Sequence, residues 1–201
     1  MRDRIEDLAS ALNRFPGIGP RQAKRFVYYL LSVPQSDRAR HADLIQNLAA
    51  DVRQCALCMR FAPTNADGLC NYCADANRDD ALLMILEKDQ DLVAVERTGT
   101  YRGRYFVLGG VITLSGKGAI RERDLIRVVE ARARTGLREI VLALSATSEG
   151  EHTADRVREL LAPLRGPITL SELGRGLATG SELEYADSAT LSAALQNRKE
   201  A

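Results

Sequence analysis

The chain has 201 residues, of which 45% are hydrophobic and 27% charged, and this globular composition argues against general disorder. No apolar run approaches the roughly 20 residues that span a bilayer, and the N-terminal MRDRIEDLAS carries charges where an export signal needs an apolar stretch. We therefore expect a soluble, cytoplasmic protein with no membrane partner, long enough for one large domain or two to three small ones.

The formal net charge of +1 conceals a gradient along the chain. Residues 1–40 carry eight basic and four acidic side chains, residues 41–80 carry three and six, and residues 81–201 carry 17 of each. Most of the basic groups are arginines, which bind phosphate in bidentate fashion but also form surface ion pairs. The near-neutral total therefore does not exclude a nucleic acid, and the cationic excess lies in the first forty residues.

Three helices are predicted before residue 53. Apolar residues at helical spacing predict the first two helices: Ile5, Leu8 and Leu12, then Ala23, Phe26, Val27, Leu30 and Leu31. A third helix is predicted over 36–52. The segment Phe15-Pro16-Gly17-Ile18-Gly19-Pro20 separates the first two; its glycines permit a tight turn, and a proline suits the first turn of the next helix.

The P-G-I-G turn is followed by three cations, Arg21, Lys24 and Arg25, and this arrangement resembles a helix-hairpin-helix motif. In such a turn, backbone N–H groups at a helix N-terminus approach a phosphate, and the cations add Coulomb attraction. These contacts read no base edges, so DNA binding would be independent of sequence. Two alternatives stay open: an ordinary helical hairpin with a solvated basic face, or a subunit contact through Phe26 and its neighbouring tyrosines.

All four cysteines of the chain fall into two short pairs, Cys55 with Cys58 and Cys70 with Cys73. A C-x2-C turn lets two sulfurs reach one ion, and four thiolates suit tetrahedral zinc. We predict one structural Zn²⁺ per chain, without an open coordination position for catalysis. Two disulfides or unrelated buried thiols are the alternatives, and disulfides fit poorly with a chain that lacks an export signal.

From residue 81 the pattern is that of an α/β domain. Strands are predicted over 82–86, 105–111, 139–144 and 167–170, and helices over 121–135, 153–161 and 187–198, while 89–98 could be either. Alternating strands and helices predict a mostly parallel sheet with helices on both faces. Ligands of such sheets bind beyond the carboxyl ends of the strands, here at Glu87 and at 145–151.

These two segments resemble the Toprim domain of topoisomerases and primases, in which a Glu follows the first strand and a D-x-D leading into G-E follows a later one. Glu87 takes the first position, and Glu149 and Glu151 take the tail of the second. Ser145 and Thr147 stand where the two aspartates should be. Because a Mg²⁺ site for phosphoryl chemistry needs several carboxylate oxygens, a working nuclease is not expected. The three glutamates could still hold a weak metal or cap a helix.

A helix-hairpin-helix, a four-cysteine site and a Toprim-like domain, in that order, resemble the RecR family of bacterial recombination mediators. The strings that carry the resemblance are L-N-R-F-P-G-I-G-P-R-Q-A at 12–23, I-L-E-K-D-Q-D around Glu87, T-G-T-Y-R-G-R-Y-F-V-L-G-G at 98–110, E-G-E-H-T-A at 149–154 and L-E-Y-A-D at 183–187. This chain departs from the family in a longer gap between the cysteine pairs. It also has Ser145 and Thr147 where the family usually has two asparagines.

The resemblance implies a non-enzymatic protein of recombinational DNA repair that assembles into rings, typically tetramers, large enough to surround DNA. With RecO, such proteins help RecA displace single-strand-binding protein at gaps, and with RecF they act at DNA junctions. Carried onto this chain, the resemblance assigns the DNA contacts to Arg14, Gly17, Gly19, Arg21, Lys24 and Arg25.

The resemblance also implies four parts: a helix-hairpin-helix segment at 1–53, a zinc module at 54–78, a Toprim-like domain at 79–171 and an oligomerisation segment at 172–201. Leu183, Leu191 and Leu195 are candidates for a subunit contact, with core packing as the alternative. Two other functions stay open: a Toprim nuclease or primase-like enzyme with an atypical metal site, and a protein-only scaffold. We expect the protein to be cytoplasmic and associated with the nucleoid.

Overall fold

The computed structural model describes residues 3–116, 118–164, 166–198 and 200. The chain divides into two units, Met1–Val52 and Arg53–Ala201. Within the described ranges, no helix has both the length and the apolar character needed to cross a membrane.

The first unit consists of helices, with α1 at Arg4–Leu12, α2 at Pro20–Ser32, α3 at Gln35–Gln46 and α4 at Leu48–Asp51. The Asp3 carboxylate caps α1 by accepting a hydrogen bond from the backbone N–H of Ile5 at 2.9 Å. The core between α1 and α2 is small: Ala9, Ala23 and Val27 are buried, with Ile5, Leu12 and Ile18 packed against them.

The third helix differs from the one predicted over 36–52, because the chain breaks at Asn47, between α3 and α4. Asn47 has φ −93° and ψ 2°, which departs from helical geometry, and its side chain donates a hydrogen bond to the Asp43 carboxylate at 2.7 Å. Neither α3 nor α4 has a buried residue, so the apolar stripe that predicted this helix is left exposed, with Ile45 75% and Leu48 67% accessible.

The second unit begins with a small module that contains the four cysteines. Strands β1 (Arg53–Gln54) and β2 (Phe61–Ala62) pair antiparallel, and the short helix α5 spans Asn71–Ala74. The first C-x2-C pair lies in the loop between β1 and β2, and the second flanks and enters α5. The two cysteine pairs are thus presented by a hairpin and a helical turn.

A parallel four-stranded sheet follows, with the order β4-β3-β5-β6. Its strands are β3 (Asp79–Leu86), β4 (Gly103–Val107), β5 (Glu139–Ala143) and β6 (Thr169–Glu172). Helices α6 (Asp89–Thr98), α7 (Glu122–Ala133) and α8 (Ser148–Leu161) connect the strands. A 3-10 turn at Leu183–Tyr185 and helix α9 (Ser188–Gln196) complete the chain.

The two faces of the sheet bury alternate residues of each strand, as the two-residue period of a strand requires. Leu83 and Ile85 of β3 pack with α7 and α8 on one face. Met84 and Leu86 pack on the other face with α6 and the cysteine module. The predicted α/β fold, with a parallel sheet covered on both faces, is therefore confirmed.

The structure decides one segment that the sequence left open, and several predicted boundaries were wrong. The segment 89–98, left open between helix and strand, is α6. The strand predicted over 105–111 is β4 and ends at Val107, because Gly109 turns the chain at φ +90°. The helix predicted over 153–161 begins five residues earlier, where Thr147 caps it by accepting from the Gly150 N–H at 3.1 Å. The last strand, predicted over 167–170, is Thr169–Glu172.

Candidate functional site

The four cysteines meet at one point of the second unit. All four are buried and free, and their sulfurs lie within 4.8 Å of one another. The Cys58 and Cys70 sulfurs are 3.6 Å apart, close to the about 3.8 Å between two ligands of tetrahedral zinc with bonds of about 2.3 Å. The predicted four-cysteine cluster is therefore confirmed as a group that could hold a metal ion, and all four thiols are free in the structure. The donor set and its spacing fit zinc.

The electrostatics of the cluster favour a bound cation. A hydrogen bond from the Cys58 thiol lowers the pKa of Cys55 well below its usual range, and the same contact raises the pKa of Cys58. The backbone N–H of Cys70 also donates to the Cys55 sulfur at 3.4 Å. Binding a positive ion would displace the protons that these buried thiols share, and the resulting thiolates would be stabilised by the charge of the ion.

Two buried arginines hold the cysteine module on the sheet. Arg104 of β4 donates from Nη1 to the carbonyls of Tyr72 and Cys73, at 3.0 and 3.1 Å. Arg78 lies 4.7 Å from the ring centroid of Tyr72 and donates to both carboxylate oxygens of Glu96 at 2.7 Å. Because Tyr72 lies between the ligands Cys70 and Cys73, these contacts orient the second cysteine pair.

The turn between α1 and α2 has the conformation that its glycines predict. Gly17 adopts φ +77°, and Gly19 is the N-cap of α2 with Pro20 in the first turn. No side chain caps α2 and Pro20 has no N–H, so the backbone N–H groups of Arg21 and Gln22 are the ones available to a ligand. A side chain at either glycine would meet no atom within 4 Å, so the surface around the turn is open.

The predicted DNA-binding cations differ in their partners. Arg14, Arg21 and Arg25 are exposed, and within the described part of the chain none of them forms an ion pair. Lys24 instead pairs with Glu6 of α1, with 2.6 Å between Nζ and Oε1. The hydrogen bond from Lys24 to Glu6 raises the pKa of the lysine. Both side chains are about half exposed, so a phosphate could compete for Lys24.

At the carboxyl edge of the sheet, the three glutamates of the Toprim motif have separate partners. The Glu87 Oε1 atom accepts from both the N–H and the hydroxyl of Ser145, each at 2.6 Å, and Glu87 is only 6% exposed. Glu151 pairs with Arg175, while the backbone carbonyl of Glu149 accepts from Thr153 at 2.7 Å.

The same glutamates do not converge on a metal position. Among the described residues, only the cysteine cluster brings three or more candidate ligand atoms within 4.8 Å of one another. Ser145 occupies the place beside Glu87 where a magnesium site would need a second carboxylate. The edge is thus organised by neutral hydroxyl groups.

Sequence reasoning missed Arg78, Arg104 and Tyr72. Arg104 lies in the string at 98–110, whereas Arg78 and Tyr72 lie in none of the strings above, and nothing in the sequence spacing distinguishes a buried arginine from a surface one. The hydrogen-bond partners of the two arginines are 18 to 32 residues away along the chain, so packing brings these groups together.

Three family models match the chain: "RecR, helix-hairpin-helix" at residues 5–50, "Toprim domain" at 81–172 and "RecR, C-terminal" at 176–199. Curated proteins called "Recombination protein RecR" match almost all of it. The one from Cutibacterium acnes is 36% identical over 195 residues, 96% of this chain and 94% of the relative. Relatives from Nocardioides sp. and Mycobacterium ulcerans are each 38% identical over 199 residues, covering 98% and 97% of this chain and 96% of their own.

Proposed function

This chain belongs to the RecR family of recombination proteins, and from that premise we propose that it is a non-enzymatic DNA clamp of recombinational repair. The clamp contains one structural zinc ion per chain and surrounds DNA as a ring. The observation that carries the proposal is the start of α2, where an uncapped helix N-terminus is accompanied by exposed arginines.

The DNA contacts are assigned to Arg14, Gly17, Gly19, Arg21, Lys24 and Arg25. The two glycines leave room for a phosphate beside the free N–H groups of α2, and the positive end of the helix dipole favours the negative charge. The arginines add phosphate contacts at little cost, because no ion pair has to be broken. Phosphate contacts are independent of sequence, which suits a clamp that acts wherever a gap occurs.

The four-cysteine cluster is assigned to zinc with a structural role. Four protein ligands leave no position for water or substrate, so the ion has no catalytic task. The module around it has few buried apolar side chains beyond the cysteines and is anchored by Arg78 and Arg104, so metal binding supplies part of its folding energy. Loss of the ion would therefore loosen the module from the sheet.

Assembly into a tetrameric ring is supported by apolar surface in both units. In the first unit, Tyr28, Tyr29, Ile45 and Leu48 are each more than half exposed. In the C-terminal segment, Leu183 and Leu195 are each 65% exposed, and α9 has no buried residue. Clustered exposed apolar side chains mark interaction surfaces, and a closed ring of identical subunits can be built from two such surfaces on each subunit.

Enzymatic activity is not part of the proposal. The alternative, a Toprim nuclease or primase-like enzyme, needs several carboxylates around one metal ion. In this chain Glu87 is hydrogen-bonded to Ser145 and Glu151 is paired with Arg175, so both acids are engaged without a metal. Magnesium-dependent cleavage or primer synthesis that disappears in Glu87→Gln would support the enzyme and contradict the clamp.

The partners follow from the family. We assign to this chain cooperation with RecO, to help load RecA on DNA coated with single-strand-binding protein, and with RecF at junctions. The cellular place is then the cytoplasm, on the nucleoid. A protein that bound RecO but never DNA would instead be a protein-only scaffold, the other alternative function that the sequence leaves open.

The decisive experiment replaces Arg14, Arg21 and Arg25 together with Ala and measures binding to a single-stranded oligonucleotide at several salt concentrations. We expect weaker binding. The slope of log affinity against log salt concentration should also be shallower, by the amount that corresponds to the loss of about two to three phosphate contacts. The matched control replaces Arg97, Arg123 and Arg134, which are exposed arginines of the second unit. Equal losses in both variants would refute the assigned surface.

Solution mass and zinc content test the clamp separately. A mass of four chains with about one zinc per chain is expected, and the arginine variants should keep both. A stable monomer would contradict the ring. If the chain contained no zinc after purification under reducing conditions, the zinc assignment would be contradicted.

A further inference from the structure

A cavity of about 310 Å³ opens in the second unit between the cysteine module and α7. It lies near the start of β3, seven residues or about 23 Å of strand from Glu87, and is therefore distinct from the Toprim edge. Its lining combines apolar and cationic side chains: Leu57, Val128 and Ala131 with Arg104, Arg127 and Arg132, beside Cys73, Asp80 and Thr135.

The cationic side of this cavity has more positive than negative charge. The Arg104 and Arg132 side chains are only 8% and 11% exposed, and both donate to the same Oδ1 atom of Asp80, at 2.8 and 3.1 Å. The hydrogen bond from Arg104 lowers the pKa of Asp80, so this carboxyl stays ionised. Asp80, whose side chain is 60% exposed, is thus the shared ion-pair partner of two largely buried guanidinium groups.

Arg132 is the group that lacks a full set of partners. Its Nε atom is buried and has no hydrogen-bond partner, and its only ion pair within the described residues is the shared one with Asp80. Arg104, by contrast, is occupied by the carbonyls of Tyr72 and Cys73 and has a structural role in the module. Because Arg132 shares its carboxylate partner with Arg104, a further anion in the cavity would be attracted to the positive charge that Asp80 alone does not balance.

Arg127 adds a second, accessible cation on the same helix. It pairs with Asp124 at 3.1 Å on the surface, where both side chains are about half exposed and the pair contributes little. Between Arg127 and Arg132 along α7 lie Val128 and Ala131, which line the cavity. The helix therefore presents an apolar strip between two cations.

We propose that this cavity binds an acidic peptide segment of a partner protein, with an apolar side chain against Leu57 and Ala131 and neighbouring carboxylates beside Arg127 and Arg132. About 310 Å³ is at the lower end of ligand pockets and accommodates one or two side chains. Charge complementarity selects an acidic segment, and the apolar strip selects a peptide over a nucleic acid.

The test uses the full-length, zinc-loaded chain with labelled Leu and Val methyl groups. The probe is the blocked peptide Ac-Glu-Leu-Glu-Glu-Leu-NH2, and we expect saturable NMR shifts at Leu57 and Val128. Replacing all Glu by Gln in the probe, or all Leu by Ser, should each weaken binding at least about tenfold, because each removes one half of the recognition.

Two variants make the location testable. Ala131→Glu places a carboxylate inside the cavity and should weaken probe binding, whereas Ala133→Glu, on the same helix but outside the lining, should not. Arg127→Gln provides an independent loss of affinity if the first variant fails to fold. Absence of methyl shifts, equal effects of the two Glu variants, or shifts caused by an oligothymidine but not by the peptide would each overturn the proposal.

Discussion

The Glu87 carboxylate accepts two hydrogen bonds from Ser145, from its backbone N–H and from its hydroxyl, and both are 2.6 Å long. Ser145 follows β5, and its hydroxyl lies 3.1 Å from that of Thr147, the N-cap of α8. One edge of the sheet is therefore linked to the start of α8 through an acid and two hydroxyl groups. In this chain, Glu87, which directly follows β3, thus connects two strand ends and a helix start through hydrogen bonds.

Removing the Ser145 hydroxyl should reveal this role. Ser145→Ala leaves the buried Glu87 carboxylate with one donor instead of two, and a hydrogen bond to a charged group contributes about 1.5–3 kcal/mol. We expect a loss of that order in the free energy of unfolding, measured by urea denaturation. Ser148→Ala, at an exposed position on the next turn, should change stability by less than about 0.5 kcal/mol. Similar values for both variants would show that the Glu87 contact contributes little.

Gly150 should tolerate no side chain. A Cβ there would lie 2.0 Å from the backbone oxygen of Ser145 and 2.5 Å from its hydroxyl, because α8 starts directly against the end of β5. Gly150→Ala should therefore destabilise the protein by about 3 kcal/mol or prevent folding. Gly174→Ala is the matched control, since a Cβ at Gly174 meets no atom within 4 Å and its φ is not positive. A thermal unfolding curve of Gly150→Ala that overlaid the wild type would contradict the packing.

The Lys24–Glu6 ion pair should limit DNA binding. In Glu6→Gln the lysine loses its carboxylate partner and is free to contact a phosphate. If it makes one additional contact, affinity for a single-stranded oligonucleotide should rise at low salt, and the logarithmic salt dependence should steepen by about 0.7. Fluorescence anisotropy at several salt concentrations measures both.

Asp7→Asn is the control for overall charge, because Asp7 lies in the same turn of α1 and, among the described residues, belongs to no ion pair. It changes the net charge by the same amount without releasing a cation. An equal gain in affinity in both variants would indicate a long-range electrostatic effect and would contradict a direct phosphate contact by Lys24.

The contact between Arg78 and Glu96 should control how tightly the cysteine cluster retains its metal. The two side chains are 8% and 19% exposed, and breaking such a buried pair from one side costs about 3–5 kcal/mol. Glu96→Gln should lower the melting temperature and speed zinc transfer to a colorimetric chelator, because Arg78 then no longer holds Tyr72 in place. Glu130→Gln, an exposed change on α7, serves as the comparison. If Glu96→Gln transferred zinc to the chelator at the wild-type rate, the contact between Arg78 and Glu96 would have no effect on metal retention.

The features predicted correctly depend on residues near one another in the chain. The cysteine cluster follows from two C-x2-C turns, and the α1–α2 hairpin from Gly17, Gly19 and Pro20. Boundary errors occurred where one residue changes the backbone. Asn47 interrupts a helix whose apolar period continues, and Thr147 starts α8 before the apolar period becomes visible.

The contacts that distinguish this chain were not predictable in the same way. Lys24 was predicted as a DNA-binding cation, but its partner Glu6 lies on another helix. The Ser145 hydroxyl was interpreted as a missing aspartate, whereas in the structure it is a donor to an acid 58 residues earlier. Neither partner is encoded in a local pattern.

The sequence by itself determined the ligand set of the metal cluster, the helical hairpin and the parallel sheet, because turn chemistry and apolar periodicity act within a few residues. Only the tertiary structure decided which charges are already paired, how Arg78 and Arg104 hold the cysteine module, and where Arg132 is left with an unpartnered donor. These depend on hydrogen bonds and ion pairs between distant elements, whose geometry is set by packing.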